Sequence, residues 1–582
     1  MTACDRKTDF TGQDCGAIRG GPLRFIKNEY ILLFAGYIIT CFACYLYVIF
    51  TGNGLRALYG DSWVYTDLAK RIAFNHSLLH NDYVNSIIYP PLYPLLISIA
   101  YFFRDQAAIF TTIKIVNILV YASAFYPLFY LLKYYSGLTR SQSFAGAILL
   151  LLNWCALGYV TYITSEPLYC PLLVWFAWFL ADNKHLKSKF DLLLFIMIFS
   201  ALPLTKSIGN LVFPFFAGTM IIKLIYIRNN HLPEDSGKLI WRSATVLVAA
   251  GLIMLLYNMY LKAVLPQSHG DIFGGYFSIS ADPLMRQTLL KPAYWFNRTA
   301  FSFSWILIGT GTAAVPLLFS IVLKKSKILY TDVLACFSFM LLAGTFILVP
   351  LFTSADPLGD AHQRYFDPLL FLFILILLKY SRFADKSVMV TAGVITLIGL
   401  ILAPPLTAHA SCFALSRTHP WVVYVLLYGG GSAVFACMLF ILYKQRNYFV
   451  YIFFGMMAVS IPALHFLDYL GGNKLGPNIF SFYDGHGITR AALAERSSNP
   501  STELIVDRSW RYFRGSLEYC DYREYMTVLI NLPMVPAYKD LNQYLFDPKN
   551  KGKRFMVLTH KTIPNAAKTV KGQDIALYIF EL

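Results

Sequence analysis

The sequence predicts an all-α polytopic membrane protein of about thirteen transmembrane helices, followed by a small α/β domain. Of the 582 residues, 57% are hydrophobic and only 14% are charged, whereas a soluble domain carries roughly 25% charged residues. The apolar residues are gathered into runs such as Tyr30–Phe50, Val246–Leu261 and Val422–Leu442. Each run is close to the roughly 20 residues that cross the hydrocarbon layer. A soluble chain of this size could not bury so many helices of this kind.

Basic residues collect in the N-terminal tail, residues 1–28, and in several short turns between apolar runs. The positive-inside rule places such turns in the cytoplasm. This placement accounts for the formal charge of +17 without a nucleic-acid partner. The basic turns contain Lys133 and Arg140; Lys184, Lys187 and Lys189; Arg228, Lys238 and Arg242; Lys324, Lys325 and Lys327; Lys379, Arg382 and Lys386; and Lys444 and Arg446.

One apolar segment, Tyr89–Phe103, decides the topology. It is too short to span comfortably at about 1.5 Å per residue, and it begins with two prolines. If it crossed the membrane, every later basic turn would lie outside. We therefore expect a helix on the outer membrane surface, within one external loop formed by residues 51–108.

The membrane domain is assigned to residues 29–470. Its spans alternate so that all basic turns face inward, and the odd number of spans leaves the C-terminal domain, residues 471–582, outside the cell. Strand-like runs in that domain are Glu503–Val506, Met526–Ile530 and Arg554–Leu558. The predicted spans are Tyr30–Phe50, Phe110–Leu132, Ser143–Ile163, Pro167–Leu180, Leu192–Leu204, Leu211–Ile227, Ala244–Val264, Phe303–Leu323, Thr331–Phe352, Pro368–Tyr380, Val388–Pro404, Trp421–Tyr443 and Phe449–Leu467.

Two acids lie at the predicted outer ends of spans. Asp61 follows the first span, where a carboxylate at the lipid–water boundary can act as a general base; the alternative is a surface aspartate or a helix N-cap. Glu166 lies between two apolar runs, where an acid is costly unless it reaches water or a partner. The alternative is a turn residue that marks the boundary between spans.

Two cations lie on the same predicted side. Lys206 is at the outer end of a hairpin, away from the basic cytoplasmic turns, and an ammonium there suits a phosphate group. Arg364 precedes span ten at its outer end. The alternatives are a lysine that reaches water from its turn and an arginine that snorkels to the interface.

In this order, the motifs resemble those of the GT-C superfamily of membrane glycosyltransferases. The similarity is to the branch of protein O-mannosyltransferases and aminoarabinose transferases, with related bacterial glycosyltransferases, and covers roughly residues 29–380. Departures are Ser62 after the first acid, glutamate at the second and Tyr89 before the surface-helix proline, and they argue against assigning either named reaction. The matching motifs are Asp61 with Tyr65 and Ala69; Pro90-Pro91-Leu92; Glu166-Pro167-Leu168; Thr205, Lys206 and Pro214; and Arg364, Tyr365 and Pro368.

The resemblance implies transfer of a sugar, with inversion, from a polyprenyl-phosphate-linked donor to an extracytoplasmic acceptor: a glycolipid, a cell-envelope glycan or a protein. Asp61 would be the general base, Glu166 would orient the acceptor or assist a metal, and Lys206 and Arg364 would bind the donor phosphate. A divalent cation, Mg²⁺ or Mn²⁺, stays open as a cofactor. The expected location is the plasma membrane, a bacterial inner membrane, with the active site outside. Further candidate substrate contacts are Tyr65, Lys70, Arg71, Tyr89, His362 and Tyr365.

Two other functions compete with this interpretation. A lipid-linked glycan polymerase or ligase would place its charges similarly, but the motif order from Asp61 to Lys206 argues against it. A secondary transporter would favour repeated halves and ionisable groups near the bilayer midplane. The charges singled out here lie instead at the outer ends of spans.

Overall fold

The structure is a computed structural model. In the membrane domain the structure describes residues 22–50, 62–75, 89–103, 106–153, 157–161, 163–230, 236–264, 290–292, 295, 314–352, 365–402, 449–451, 453–455 and 457–458. In the C-terminal domain it describes residues 495, 498–499, 502–507, 537–538, 554–559, 566–571 and 576–581. Predicted span twelve and the predicted strand Met526–Ile530 lie outside these residues.

Helices make up the described membrane domain. They are α1 Pro22–Phe50, α2 Ser62–Asn75, α3 Leu92–Ile97, α4 Gln106–Ala122, α5 Phe125–Tyr130, α6 Arg140–Leu151, α7 Glu166–Ala181, α8 Lys189–Thr205, α9 Val212–Asn229, α10 Ser236–Val264, α11 Ala314–Lys324, α12 Ile328–Thr331, α13 Val333–Phe352, α14 Asp367–Tyr380 and α15 Lys386–Leu402. Short 3-10 or π turns occupy Ser98–Phe102, Leu131–Tyr135, Gly158–Thr161, Lys184–Leu186, Ser207–Leu211 and Ser381–Phe383.

Four helical stretches in the described residues are long and apolar enough to cross a membrane: Glu29–Ile49, Ala108–Tyr135, Ser207–Asn229 and Ser236–Leu261. The first stretch begins at the expected domain boundary, although α1 itself starts earlier, at Pro22. The segment Leu92–Phe102 is apolar but shorter, as expected of a helix on the membrane surface. The prediction of a polytopic helical protein with a small C-terminal sheet is confirmed.

The third predicted span is not one helix. The expected helix Ser143–Ile163 is wrong, because α6 ends at Leu151 and a separate 3-10 turn follows at Gly158–Thr161. Asn153 accepts from the backbone N–H of Leu157 with its carbonyl oxygen at 2.9 Å and forms a new turn. The hydroxyl of Thr161 donates to the Gly158 carbonyl, and such local side-chain bonds compete with a continuous helix.

An aromatic cluster holds the spans together at the centre of the bundle. Phe176 of α7 lies 5.2 Å from Phe195 of α8, 5.8 Å from Phe199 and 5.0 Å from Phe337 of α13, measured between ring centroids. Phe216 of α9 lies 5.2 Å from Phe199. Aromatic pairs at these separations add roughly 0.5–1.5 kcal/mol each beyond the area that they bury. The cluster therefore fixes α7, α8, α9 and α13 relative to one another.

The C-terminal domain contains a five-stranded sheet in the order β2-β1-β3-β5-β4. Its strands are β1 Glu503–Asp507, β2 Ala537–Tyr538, β3 Arg554–Thr559, β4 Lys568–Lys571 and β5 Ala576–Glu581. β1 pairs in parallel with β2 and β3, whereas β5 pairs antiparallel with β3 and β4. The predicted strands Glu503–Val506 and Arg554–Leu558 are confirmed as β1 and β3.

Candidate active site at the ends of three helices

Glu166 is the first residue of α7. Pro167 follows it in the first helical turn, where a proline is well tolerated because the N–H that it lacks would have no helical partner. The helix therefore begins at the acid, immediately after the bends at residues 163–165. The whole Glu166 residue is 1% exposed.

Lys206 lies where α8 ends. The helix stops at Thr205, and Lys206 takes an extended conformation with φ −151° and ψ 133°. A 3-10 turn then runs from Ser207 to Leu211. A Cβ at Gly209 would overlap the carbonyl of Leu202, so glycine is required for the chain to fold back against α8. This tight turn fixes the backbone that carries Lys206.

The structure brings these two charges together. The Lys206 ammonium donates to Glu166 Oε1 at 2.6 Å, and the two side chains are 7% and 1% exposed. Moving either ion alone out of water costs several kcal/mol. The two residues consequently form one buried, formally neutral unit.

Aromatic rings surround the Lys206 ammonium. It lies 4.5 Å from the ring centroid of Tyr365 and 5.7 Å from that of Tyr169. A desolvated cation over such a ring gains about 2 kcal/mol. Tyr365 precedes α14, so the cluster joins the start of α7, the end of α8 and the start of α14.

A second buried acid, Asp367, begins α14 and is 2% exposed. The Tyr159 hydroxyl donates to Asp367 Oδ2. Asp367 lies two residues after Tyr365, whose ring contacts the Lys206 ammonium. Asp367 therefore belongs to the same polar region as the ion pair.

The helices α2 and α3 pack against this region through tyrosines. Tyr65 of α2 lies edge to face with Tyr89 at 5.4 Å and with Tyr93 of α3 at 5.3 Å. The Tyr93 hydroxyl donates to Asn117 Oδ1 of α4 at 3.1 Å. Burial raises the pKa of Tyr93, and the charge of nearby Glu166 raises it further. Tyr93 therefore remains a protonated hydrogen-bond donor between the loop and the ion pair.

A further contact joins α2 to the 3-10 turn Ser98–Phe102. The Tyr101 hydroxyl donates to the backbone carbonyl of Thr66 at 2.9 Å. Lys70 and Arg71 lie further along α2 and are half-buried. Asp61 directly precedes α2 in the sequence, and His362 and Arg364 precede Tyr365; all three lie outside the described residues.

The sequence interpretation therefore has a mixed outcome for the candidate residues. Glu166, Lys206 and Tyr365 come together, and Tyr65 contacts Tyr89. Two further residues escaped notice: the buried Asp367, and Lys114 of α4, which is 8% exposed and one turn from Asn117. The sequence could have shown Lys114 as a candidate, because this lysine interrupts an apolar run. Asp367 directly precedes predicted span ten, and nothing in the sequence singled it out.

A divalent cation needs several oxygen or nitrogen ligands. Within the described part of the chain, no three His, Cys, Asp or Glu side chains form such a group. Glu166 is bound to an ammonium, which is not a ligand set for a cation. The described residues alone do not fit a metal, and a metal site here would need additional ligands such as Asp61.

The described helices and the small C-terminal sheet form the fold of a polytopic membrane protein with a GT-C-like arrangement. The chain is similar to two crystal structures of ArnT, an aminoarabinose transferase from Cupriavidus metallidurans. The apo structure has a TM-score of 0.55 at 13% identity and covers 94% of this chain and 98% of that one. The structure bound to undecaprenyl phosphate has a TM-score of 0.54 at 13% identity and covers 95% and 98%.

A third similar structure is the apo oligosaccharyltransferase of Archaeoglobus fulgidus, with a TM-score of 0.44 and 10% identity over 90% of this chain and 69% of that one. No family model and no curated protein matches the sequence. The two ArnT structures confirm, at the level of the fold, the resemblance that the motifs indicated.

Proposed function

We propose that this protein is an inverting glycosyltransferase that takes a sugar from a polyprenyl-phosphate carrier and transfers it to an acceptor outside the cell. The observation that carries the proposal is the buried Lys206–Glu166 pair beneath Tyr365. It lies in a fold shared with ArnT, which has been crystallised with undecaprenyl phosphate. The acceptor is a glycolipid, a cell-envelope glycan or a protein.

Lys206 is proposed to hold the donor phosphate. An ammonium has three N–H donors, so Lys206 can hold Glu166 and a phosphate oxygen at the same time. Arg364 is the second proposed phosphate ligand, because it directly precedes Tyr365, whose ring lies against the Lys206 ammonium. Fixed cations at this point stabilise the negative charge that develops on the leaving phosphate.

Asp61 is the proposed general base. An acceptor hydroxyl attacks the anomeric carbon as the bond from that carbon to the phosphate oxygen breaks on the opposite face, which inverts the configuration. The hydroxyl proton passes to Asp61, and the polyprenyl phosphate leaves with the bonding electrons. The packing of Tyr65 on Tyr89 and Tyr93 fixes α2, which begins directly after Asp61.

Glu166 is proposed as a positioning residue, because its carboxylate accepts from the lysine that would contact the phosphate. The hydrogen bond to Lys206 supports this positioning role rather than the expected role of orienting the acceptor. Assisting a metal, the other expected role, would require Asp61 as a second acid.

The function can be tested with purified full-length protein in liposomes that contain a polyprenyl-phosphate sugar labelled in the sugar. Extracts of the native envelope supply the acceptor. We expect label to move to an envelope lipid, glycan or protein, with release of polyprenyl phosphate. A parallel comparison of native cells with and without the protein should show one glycan or glycolipid that loses the mass of a sugar. If label crosses the bilayer without cleavage from its carrier, the protein is a transporter and the proposal fails.

A further inference from the structure

A polar cavity of about 230 Å³ lies at the opposite end of the helix bundle. The helix α7 runs over 16 residues from Glu166 to Ala181, which is about 22 Å at 1.5 Å per residue. Ala181 lines the cavity, as does Lys379 near the end of α14, whose first residue is Asp367. The cavity is therefore roughly 20 Å from the Glu166–Lys206 pair and separate from it.

Asp332 organises one wall of this cavity. Its Oδ2 atom accepts from the Tyr135 hydroxyl at 2.8 Å, the Lys379 ammonium at 2.7 Å and the Tyr380 hydroxyl at 2.7 Å. Its Oδ1 atom accepts from the backbone N–H of Ala335 at 3.0 Å. The charge of Asp332 is thus matched by Lys379, which also lies 3.9 Å from the Tyr135 ring centroid.

Lys223 brings a second ammonium to the cavity from α9. The residue is 9% exposed, and its ammonium donates to Asn183 Oδ1 at 3.4 Å. Asn183 is the one non-glycine residue with a positive φ, 48°, in the described part of the chain. Asparagine tolerates this conformation better than most residues, and the turn directs its side-chain oxygen to Lys223.

The lining of the cavity consequently carries two lysines and one aspartate, a formal charge of +1. Burying a lysine within a membrane helix costs free energy unless its ammonium reaches water or binds a ligand. Tyr226 and Tyr330 also line the cavity, and tyrosine is enriched where spans meet the interface. The exposed basic residues Lys325 and Lys327 belong to a neighbouring turn, and such turns attract anionic lipids.

We propose that this cavity binds a phosphate group, with Lys223 as the cation that recognises it. The phosphate belongs either to the headgroup of an anionic phospholipid in the adjacent leaflet or to a small soluble phosphate compound. The volume admits a phosphoglycerol headgroup. This site is independent of the proposed transferase reaction, because it lies at the other end of the helices.

The test uses the full-length protein in a zwitterionic detergent. One arm measures binding of phosphatidylglycerol against phosphatidylcholine by native mass spectrometry. The other measures the Tm in inorganic phosphate against chloride at equal ionic strength. Lys223→Gln, which can still donate to Asn183, should weaken the phosphate-dependent signal about 10-fold or more, as expected for a lost charged hydrogen bond. Lys187→Gln, a matched exposed lysine at the same end, should have no effect.

A second variant keeps the proposal testable if Lys223→Gln folds poorly. Ala181→Phe fills the cavity without changing its charge and should also reduce binding. Both effects should persist in a Lys206→Met background, which removes the other proposed phosphate site. An effect in the lipid arm alone identifies a lipid headgroup, and an effect in the soluble arm alone identifies a small phosphate compound. Equal binding by wild type, Lys223→Gln and Ala181→Phe in both arms would overturn the site.

Discussion

Lys206 and Glu166 are 40 positions apart in the chain, yet the lysine ammonium donates to the glutamate carboxylate at 2.6 Å. Both are almost fully buried. Neither charge would be stable at this depth alone, since desolvation of a single ion costs several kcal/mol. The pair therefore couples the start of α7 to the end of α8.

This coupling can be measured. Lys206→Met or Glu166→Leu leaves one buried charge without its partner and should lower the free energy of unfolding by about 3–5 kcal/mol. The double variant should recover much of the loss, because two apolar side chains then replace the pair. Unfolding of the purified protein in mixed detergent gives each value.

The matched control is the exposed pair Lys187–Asp182, with side chains 54% and 46% exposed. Lys187→Met should change the stability by less than about 1 kcal/mol. If the losses from Lys206→Met and Glu166→Leu simply add in the double variant, the two residues are not coupled as the structure indicates.

Neutralising the proposed phosphate ligands should impair donor binding more than acceptor binding. Lys206→Ala or Arg364→Ala should each cost about 2–5 kcal/mol in affinity for the polyprenyl-phosphate sugar. Titration of the purified variants with donor and with acceptor gives the two affinities separately. Arg228→Ala, which removes an exposed cation at the other end of the bundle, is the control. Unchanged donor affinity in both variants would remove these residues from the phosphate site.

Asp61→Asn tests the base. The amide has nearly the same shape but cannot accept the acceptor's proton, so turnover should fall roughly 10²-fold or more. Membrane insertion and yield should be normal. Asp67→Asn, in the same external loop, is the matched control. If Asp61→Asn turns over normally and Asp67→Asn does not, the base has been assigned to the wrong aspartate.

Asp385 should make stability depend on acid pH. The Lys324 ammonium and then the backbone N–H of Val388 lower the pKa of Asp385 to about 2 from its ordinary 3.8. Because the folded-state pKa is the lower one, this stabilisation is complete above about pH 4 and is lost as the pH falls through about 2. The Tm of wild type should exceed that of Asp385→Asn at pH 6, and the gap should narrow between about pH 4 and 2. A gap that is constant over this range would contradict the assignment.

The topology predicts opposite accessibility at the two ends of the bundle. In a cysteine-depleted background, Phe102→Cys at the end of the surface helix should react with an impermeant thiol reagent in intact cells. Ser326→Cys, in the exposed turn after α11, should react only after permeabilisation. The native residues Phe102 and Ser326 are both exposed. Labelling of Ser326→Cys in intact cells would reverse the orientation.

Much of the architecture was predictable, because span length and basic turns are local properties of the sequence. The hairpin of α8 and α9, the short helix that begins at Leu92, and strands β1 and β3 all appear as expected. The break after α6 was not predictable from hydrophobicity, since the run continues through Asn153 and Gly158. Strand β4 is short and polar, and its pairing with β5 defines it. Strand β5 is as long as β3 and largely apolar, so its sequence did carry a strand signal that the prediction missed.

The site was predictable only as separate residues. Glu166, Lys206 and Tyr365 each had a motif, but their contact depends on how three helices meet. Asp367 became part of the site because Tyr159 reaches it from the turn that replaces the expected third span. Asp332 lies at the start of predicted span nine and carried no motif, and only the fold brings Tyr135, Lys379 and Tyr380 to it.

The helices α7 and α14 both begin at the Glu166–Lys206 pair and end at the cavity near Lys223 and Lys379, so their axes point the same way. Aligned peptide dipoles give each helix the equivalent of about half a positive charge at its start. Two such charges face the end where a carrier phosphate is proposed to bind, and the opposite ends face the lysines. The backbone itself thus adds an electric field across the bundle that favours an anion beside Lys206 and stabilises the lysine ammonium groups that line the cavity.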